Sequence, residues 1–313
     1  MPTKIALILS AEIPDPLISE FGNYHSLFHK LLRLSHPVLG TEFVLDPYDV
    51  VHKMEYPSEE QLDSYYDALL YSGSPAAASS DKLEWINKLV AFTARVANEK
   101  LHLKIIAICF GHQIICKTLG SPCVPNKDWE VGPTKVKLTD IGKRVFGIKK
   151  LRSTGTPLTR CRTFTTQIIQ EIHTEHVPAV PPNFHLLGSS RLTPNQGMVR
   201  FRDGPHVDEH HHDHGYKHHH HGHNLEHAQI LTLQGHPELF QEIIEGMVDL
   251  DVEEGLMTDE LAEDVRRRRH WRNDGVRVVG KAVWCMLGAK GPQSSESCEV
   301  EDLDDDDDSD SSV

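Results

Sequence analysis

Leu103-Lys-Ile-Ile-Ala-Ile-Cys109-Phe-Gly-His-Gln-Ile-Ile-Cys116 is an apolar strand that ends at a cysteine, with a helix beginning immediately afterwards. This pattern is a strand–nucleophile–helix elbow. Such a turn forces its central residue into a strained backbone conformation, so the residues two before and two after it have to be small. Ala107 and Gly111 meet that demand. The thiol then sits at the positive end of the following helix, which favours thiolate, and the first-turn amides point towards any developing oxyanion. A free cysteine at a strand end is most often a small buried hydrophobe, and Cys116 and Cys123 are read that way. Gly111-His112-Gln113 sets Cys109 apart, because polar residues directly after a buried strand lie at the carboxyl edge of a parallel sheet, the usual site position in such folds.

A second apolar strand runs into a polar turn at Ala228-Gln-Ile-Leu-Thr-Leu-Gln-Gly-His-Pro-Glu238. His236 and Glu238 stand two apart. In an extended segment their side chains project to the same side, so the carboxylate can accept one imidazole N–H while the other ring nitrogen faces a thiol. An isolated His-Pro-Glu reads more simply as the cap of a following helix; with the Cys109 elbow in the same chain, a base and its orienting acid is the better account.

Around these two motifs, short apolar runs alternate with amphipathic stretches, as strands alternate with crossover helices in an α/β fold. Strands are expected at Ile5–Leu9, Glu42–Leu45, Ala68–Tyr71, Ile105–Ile108 and Ile230–Leu233. Helices are expected at Tyr24–Leu34, Lys82–Asn98 behind Ser80 and Asp81 as N-caps, Phe110–Leu119, Glu238–Val248 and Val276–Leu287. The reading is three layers, a mostly parallel sheet with helices on both faces. It assigns residues 1–290 to one domain, interrupted by an insertion loop at 206–227 that holds half of the 22 histidines. The Ser- and Asp-rich stretch 291–313 lacks aromatic residues and is expected to be a disordered acidic tail.

The formal charge of −14 is concentrated in that tail, where ten acidic residues between Glu296 and Asp310 face no basic one, leaving about −4 for the other residues. No basic stripe suits a phosphate backbone, so nucleic-acid binding is not expected. No apolar stretch reaches the length of a membrane span. The six cysteines, without CxxC pairs in 313 residues, suit reduced thiols, and the expected location is the cytoplasm, with the nucleus as a second compartment.

Together, Cys109-Phe-Gly-His-Gln and Gln234-Gly-His-Pro-Glu238, in this order and roughly 125 residues apart, resemble the nucleophile and base motifs of class I glutamine amidotransferase domains. The likeness extends to Tyr71-Ser-Gly-Ser74, similar to that family's oxyanion loop. Trp129-Glu-Val-Gly132 with Lys137-Leu-Thr-Asp-Ile-Gly142 resembles its substrate-side hairpin, and His173-Thr-Glu-His-Val177 resembles the segment bordering its glutamine pocket. The pattern is most similar to the free-standing GMP-synthase-like branch and to plant γ-glutamyl peptidases.

The resemblance implies a flavodoxin-like fold, with Cys109 as nucleophile, His236 as proton shuttle and Glu238 as its orienting acid. It implies oxyanion amides at Ser74 and Phe110, and Gly73, Gln113 and His173 on the substrate side. Ala107 and Ser74 stand where the family more often has glycine; both are small, and a backbone donor does not depend on its side chain. The implied reaction is thiol hydrolysis at the γ-carbonyl of glutamine or γ-glutamyl compounds through a thioester, without cofactor or metal. The implied partners are a small γ-glutamyl substrate and an ammonia-accepting protein, since no synthetase segment follows in the sequence. Two alternatives remain open: a γ-glutamyl peptidase or transferase, and an idle scaffold whose histidine loop, through His210, His212, His218 and His220, takes up metal.

Overall fold

The computed structural model describes residues 1–147, 165–202 and 225–289. The tail at 291–313 and most of the expected histidine loop, including His210, His212, His218 and His220, lie outside the described residues, as do Cys161 and Cys298.

Nine strands form one sheet among the described residues: β1 (Thr3–Leu9), β2 (Phe43–Asp49), β3 (Ala68–Tyr71), β4 (Lys104–Ile108), β5 (Val124–Leu138), β6 (Thr166–His176), β7 (His185–Ser189), β8 (Gly197–Phe201) and β9 (Ala228–Leu233). Their spatial order is β2-β1-β3-β4-β9-β8-β7-β5-β6. The run from β2 to β9 is parallel, and the run from β9 to β6 is antiparallel. The parallel half is the one expected from the apolar runs. Every residue of β3 and β9 is buried, as strands covered on both faces require. The antiparallel half was legible only as the hairpin resemblance at 129–142, because β5 mixes Lys, Glu and Asp with its apolar residues.

Helices α1 (Asp15–Phe21), α2 (Tyr24–Ser35), α3 (Glu59–Ser64), α4 (Glu84–Glu99), α5 (Phe110–Thr118), α6 (Asp140–Val145), α7 (Gln241–Glu253), α8 (Asp259–Arg268) and α9 (Lys281–Met286) cover the sheet. Strand alternation divides the apolar residues between two cores. Ile5, Leu7, Ile106 and Ile108 pack with α1, α2, α7, α8 and α9, whereas Ala6, Ile8, Ile105 and Ala107 pack with α3, α4 and α5. The three layers follow from that division.

Three helix boundaries differ from expectation. α4 begins after Leu83, which makes no side-chain cap, because Asp81 turns to Lys117 Nζ of α5 at 2.7 Å and Ser80 Oγ accepts from the Lys82 N–H. α7 begins at Gln241 rather than Glu238, because Glu238 is engaged by His236. The C-terminal segment is a π-helical stretch at Gly275–Gly280 running into α9 instead of one α-helix.

Candidate active site

Cys109 occupies the junction of β4 and α5 with φ 51° and ψ −106°. Its N–H donates to the Leu233 carbonyl at 2.8 Å, and the register pairs Ile108 with Leu233. Because β4 and β9 are parallel neighbours that end at the same level, the elbow and the turn at 234–238 emerge side by side. The small flanks are needed as expected. A Cβ on Gly111 would lie 2.6 Å from Tyr71 Cβ, closer than carbon atoms approach, and 3.4 Å from that of Ala107, a bare van der Waals contact. Helix geometry leaves the first amides of α5, starting with Phe110, without intrahelical partners.

His236 donates its backbone N–H to the Gln170 carbonyl at 2.7 Å and forms a single antiparallel bridge with that residue. Pro237 and Glu238 then form a turn rather than continuing an extended segment. The side chains still meet, with His236 Nδ1 2.8 Å from Glu238 Oε1. Nε2 has no hydrogen bond of normal geometry, and the Cys109 sulfur is the neighbour that couples to the ring by charge and side-chain hydrogen bonding. Burial opposes the imidazolium, but Cys109 and Glu238 outweigh it and raise the His236 pKa well above its ordinary value. The three side chains are enclosed: Cys109 is 4% exposed, His236 2% and Glu238 0%.

The loop after β3 closes over this pair. Ser72 Oγ accepts from the Ser10 N–H and donates to the Gly73 carbonyl, and Ser74 Oγ accepts from the Ala76 N–H. Gly73 lies against the imidazole: a Cβ there would be 2.7 Å from His236 Cε1 and 3.6 Å from Cys109 Cβ. Gly73, Ser74, Phe110, Cys109, His236 and Glu238 therefore stand together. Gln113 is turned inward, its amide N–H groups engaging the Glu175 carbonyl at 2.9 Å and Gln234 Oε1 at 3.3 Å.

Gln234 and Tyr24 are neighbours the sequence reading did not single out. Gln234 Nε2 lies 3.6 Å from Cys109 Sγ, and its place directly after β9 was the available signal. Tyr24, at the start of α2, is kept protonated by burial, with the charges of Glu238 and Cys109 adding to that effect; nothing in the local sequence marks it.

His173 sits between Glu130 and Glu171, with Nε2 3.2 Å from Glu130 Oε2 and 3.3 Å from Glu171 Oε2. Burial opposes its positive charge, but the two carboxylates raise its pKa to about 10. Burial pushes Glu171 up to about 7 against the pull of His173. Glu130, despite its burial, is held below the usual carboxylate range by His173, Ser190 and Thr193. These three side chains are the group able to hold a metal ion among the described residues. Cys116 and Cys123 are buried, and burial raises both thiols, consistent with packing roles.

A family profile described as glutamine amidotransferase class-I matches residues 22–243. A glutamine amidotransferase-like protein of Schizosaccharomyces pombe is 30% identical over 83% of this chain and 90% of its own. Gamma-glutamyl peptidase 3 of Arabidopsis thaliana is 28% identical over 68% of this chain and 70% of its own. A glutamine amidotransferase structure from Thermotoga maritima superposes with a TM-score of 0.57 at 15% identity, covering 92% of this chain and 99% of that one, a likeness of fold.

Proposed function

Because the chain belongs to the class I glutamine amidotransferase family, we infer that it is a thiol hydrolase acting at the γ-carbonyl of glutamine or γ-glutamyl compounds. The carrying observation is the arrangement at the elbow. A cysteine held at φ 51° starts a helix beside an imidazole whose Nδ1 is 2.8 Å from Glu238 and whose Nε2 is not taken up by any other residue.

In the proposed reaction the Cys109 thiolate bonds to the γ-carbonyl carbon, and the amides of Ser74 and Phe110 receive the oxyanion. The C–N bond breaks as His236 gives its proton to the leaving nitrogen, yielding a γ-glutamyl thioester. A water then loses its proton to His236 and attacks the thioester, releasing glutamate and restoring the pair. Glu238 holds the ring and balances the imidazolium charge. Gln234, in contact with the sulfur, and Gly73, against the ring, keep nucleophile and base in register. With the triad enclosed, substrate entry requires an opening step, and docking of an ammonia-accepting partner is a suitable trigger. A peptidase reading is favoured by the likeness to gamma-glutamyl peptidase 3; it keeps the same residues and changes the leaving group to a peptide.

The test uses the full chain. A glutamine-mimicking diazoketone is expected to label Cys109 selectively, and Cys109→Ala to abolish turnover while the protein stays folded. A folded Cys109→Ala protein that hydrolyses at the wild-type rate refutes the reading. Assays on glutamine, γ-glutamyl dipeptides and glutathione conjugates divide the two leaving groups. Weak glutamine hydrolysis that rises with a partner indicates an amidotransferase, and brisk dipeptide cleavage a peptidase. Inactivity on all of them, with Cys109 still titratable, indicates a scaffold.

A further inference from the structure

A second group of ionisable side chains lies behind the catalytic turn, and the reaction above makes no use of it. Glu130 of β5 and His173 of β6 face each other in the strand register. Glu171, two residues earlier on β6, projects to the same side. The three ligand atoms lie within 4.8 Å of one another, and all three side chains are buried.

Hydrogen bonding fixes how the imidazole presents itself. His173 Nδ1 is 2.9 Å from the Glu175 carbonyl, which can only accept, so Nδ1 carries a hydrogen and Nε2 is turned to the two carboxylates. Asn126, whose amide lies 3.2 Å from the same nitrogen, fits best with its otherwise unpartnered oxygen turned towards it. Glu130 is held in place by the hydroxyls of Ser190 and Thr193 and by Gln196 Nε2. Glu171 is not: neither oxygen has a hydrogen-bond partner, and the side chain is 0% exposed. A proton on His173 Nε2 does not supply one, because that nitrogen reaches neither carboxylate in hydrogen-bond geometry. A buried carboxylate without hydrogen bonds is strongly unfavourable, and Glu171, set beside Glu130 and the Nε2 of His173, presents such a carboxylate to a cation that can take the place of the Nε2 proton.

We propose that Glu130, Glu171 and His173 form a binding site for one divalent metal ion of the zinc class. Nitrogen and oxygen ligands bound to zinc at ~2.0–2.2 Å in a tetrahedron stand ~3.3 Å apart, and Nε2 is 3.2 and 3.3 Å from the two carboxylate oxygens. The ion displaces the Nε2 proton, the two carboxylates and the imidazole so made neutral balance its charge, and the Nδ1–H to carbonyl bond is the arrangement that orients a ligating histidine. The site's three ligands belong to β5 and β6 and are not the residues placed in the reaction above. Its ion ties β5 to β6 and, through Glu171, backs Gly235, where a Cβ would lie 2.5 Å from the carboxylate, and so supports the turn that carries His236.

The experiment titrates the chelator-stripped full-length protein with Zn²⁺ and follows thermal unfolding together with bound zinc by equilibrium dialysis. Only binding that favours the folded state raises Tm. Histidines outside a folded site bind in both states and add to the zinc count without adding stability. Wild-type protein is expected to gain about 5 °C at a hundredfold excess of free Zn²⁺ over its Kd. Glu171→Gln should lose that gain and bind one equivalent fewer, without a lower metal-free Tm. Glu171→Asp, which keeps the charge and withdraws it by one methylene, provides a second variant should the amide disturb folding; its Zn²⁺-dependent gain should fall to less than half. Equal gains in wild type and both variants, or no gain in wild type, overturn the proposal. Turnover of Cys109 is not the readout, so the outcome stands apart from the hydrolase reading.

Discussion

Cys109 is one of three non-glycine residues at positive φ among the described residues, a conformation that costs ~1–3 kcal/mol and persists where its surroundings enforce it. Here the enforcement is the Leu233 carbonyl on its N–H and the wall that Tyr71 forms beside Gly111. Gly73 meets a different demand, close approach to the imidazole. Gly73→Ala should push the His236 ring out of line and lower kcat/KM by ~100-fold with an unchanged circular dichroism spectrum; an unchanged kcat/KM would show that the ring has room to spare. His236 also predicts a pH dependence. Its folded pKa is raised, so the stability it contributes is fully present below the ordinary value of ~6.5 and is lost as pH rises through the folded value. Titration of the His236 ring by NMR should lie above the ordinary range in wild type and move down towards it in Cys109→Ala, which removes the larger of the two favourable partners.

At the scale of elements, the apolar runs of β1, β3, β4 and β9 placed those strands to within a residue or two, because a strand buried on both faces must be apolar throughout. Helix starts were less legible. Ser80 and Asp81 have the right chemistry for caps, yet Lys117, 36 residues away from Asp81, takes the carboxylate. Leu83, 40% exposed, is therefore the N-cap residue of α4, with φ −91° and ψ 116°, the extended geometry that position needs. Leu83→Ser should supply the missing acceptor and raise the unfolding free energy by about 1 kcal/mol in urea titration, an effect absent if Leu83→Ala does the same. Residues 238–240 were expected as the start of a helix for a similar reason: Glu238 is a fine first-turn residue until His236 claims it.

For the molecule as a whole, the last described helix closes the larger core against an early one. Trp284 of α9 is 1% exposed, donates from Nε1 to the Leu32 carbonyl at 2.8 Å and stands edge-on to Phe43 at 5.5 Å. Trp284→Ala should cost about 4 kcal/mol of stability in denaturant titration, and Trp284→Phe, which loses chiefly the hydrogen bond, distinctly less. No helix among the described residues is long and apolar enough to cross a membrane. Sequence alone determined the strands of the parallel half of the sheet and the elbow at Cys109, and it proposed the pairing of His236 with Glu238, which the structure makes through a turn and not along an extended segment. The first two are written in a short window, where an apolar run or a small residue on either side of the cysteine suffices. Tertiary structure alone decided that Gln234 touches the sulfur, that Tyr24 is buried where the charges of Glu238 and Cys109 reach it, and that Glu130 and Glu171 meet at His173. Glu130 and His173 lie 43 positions apart (173 − 130) and come together only because β5 and β6 pair antiparallel in one register. Local pattern encodes which residues form a strand; which charges then share a buried space depends on how distant strands are aligned, and no short window carries that information.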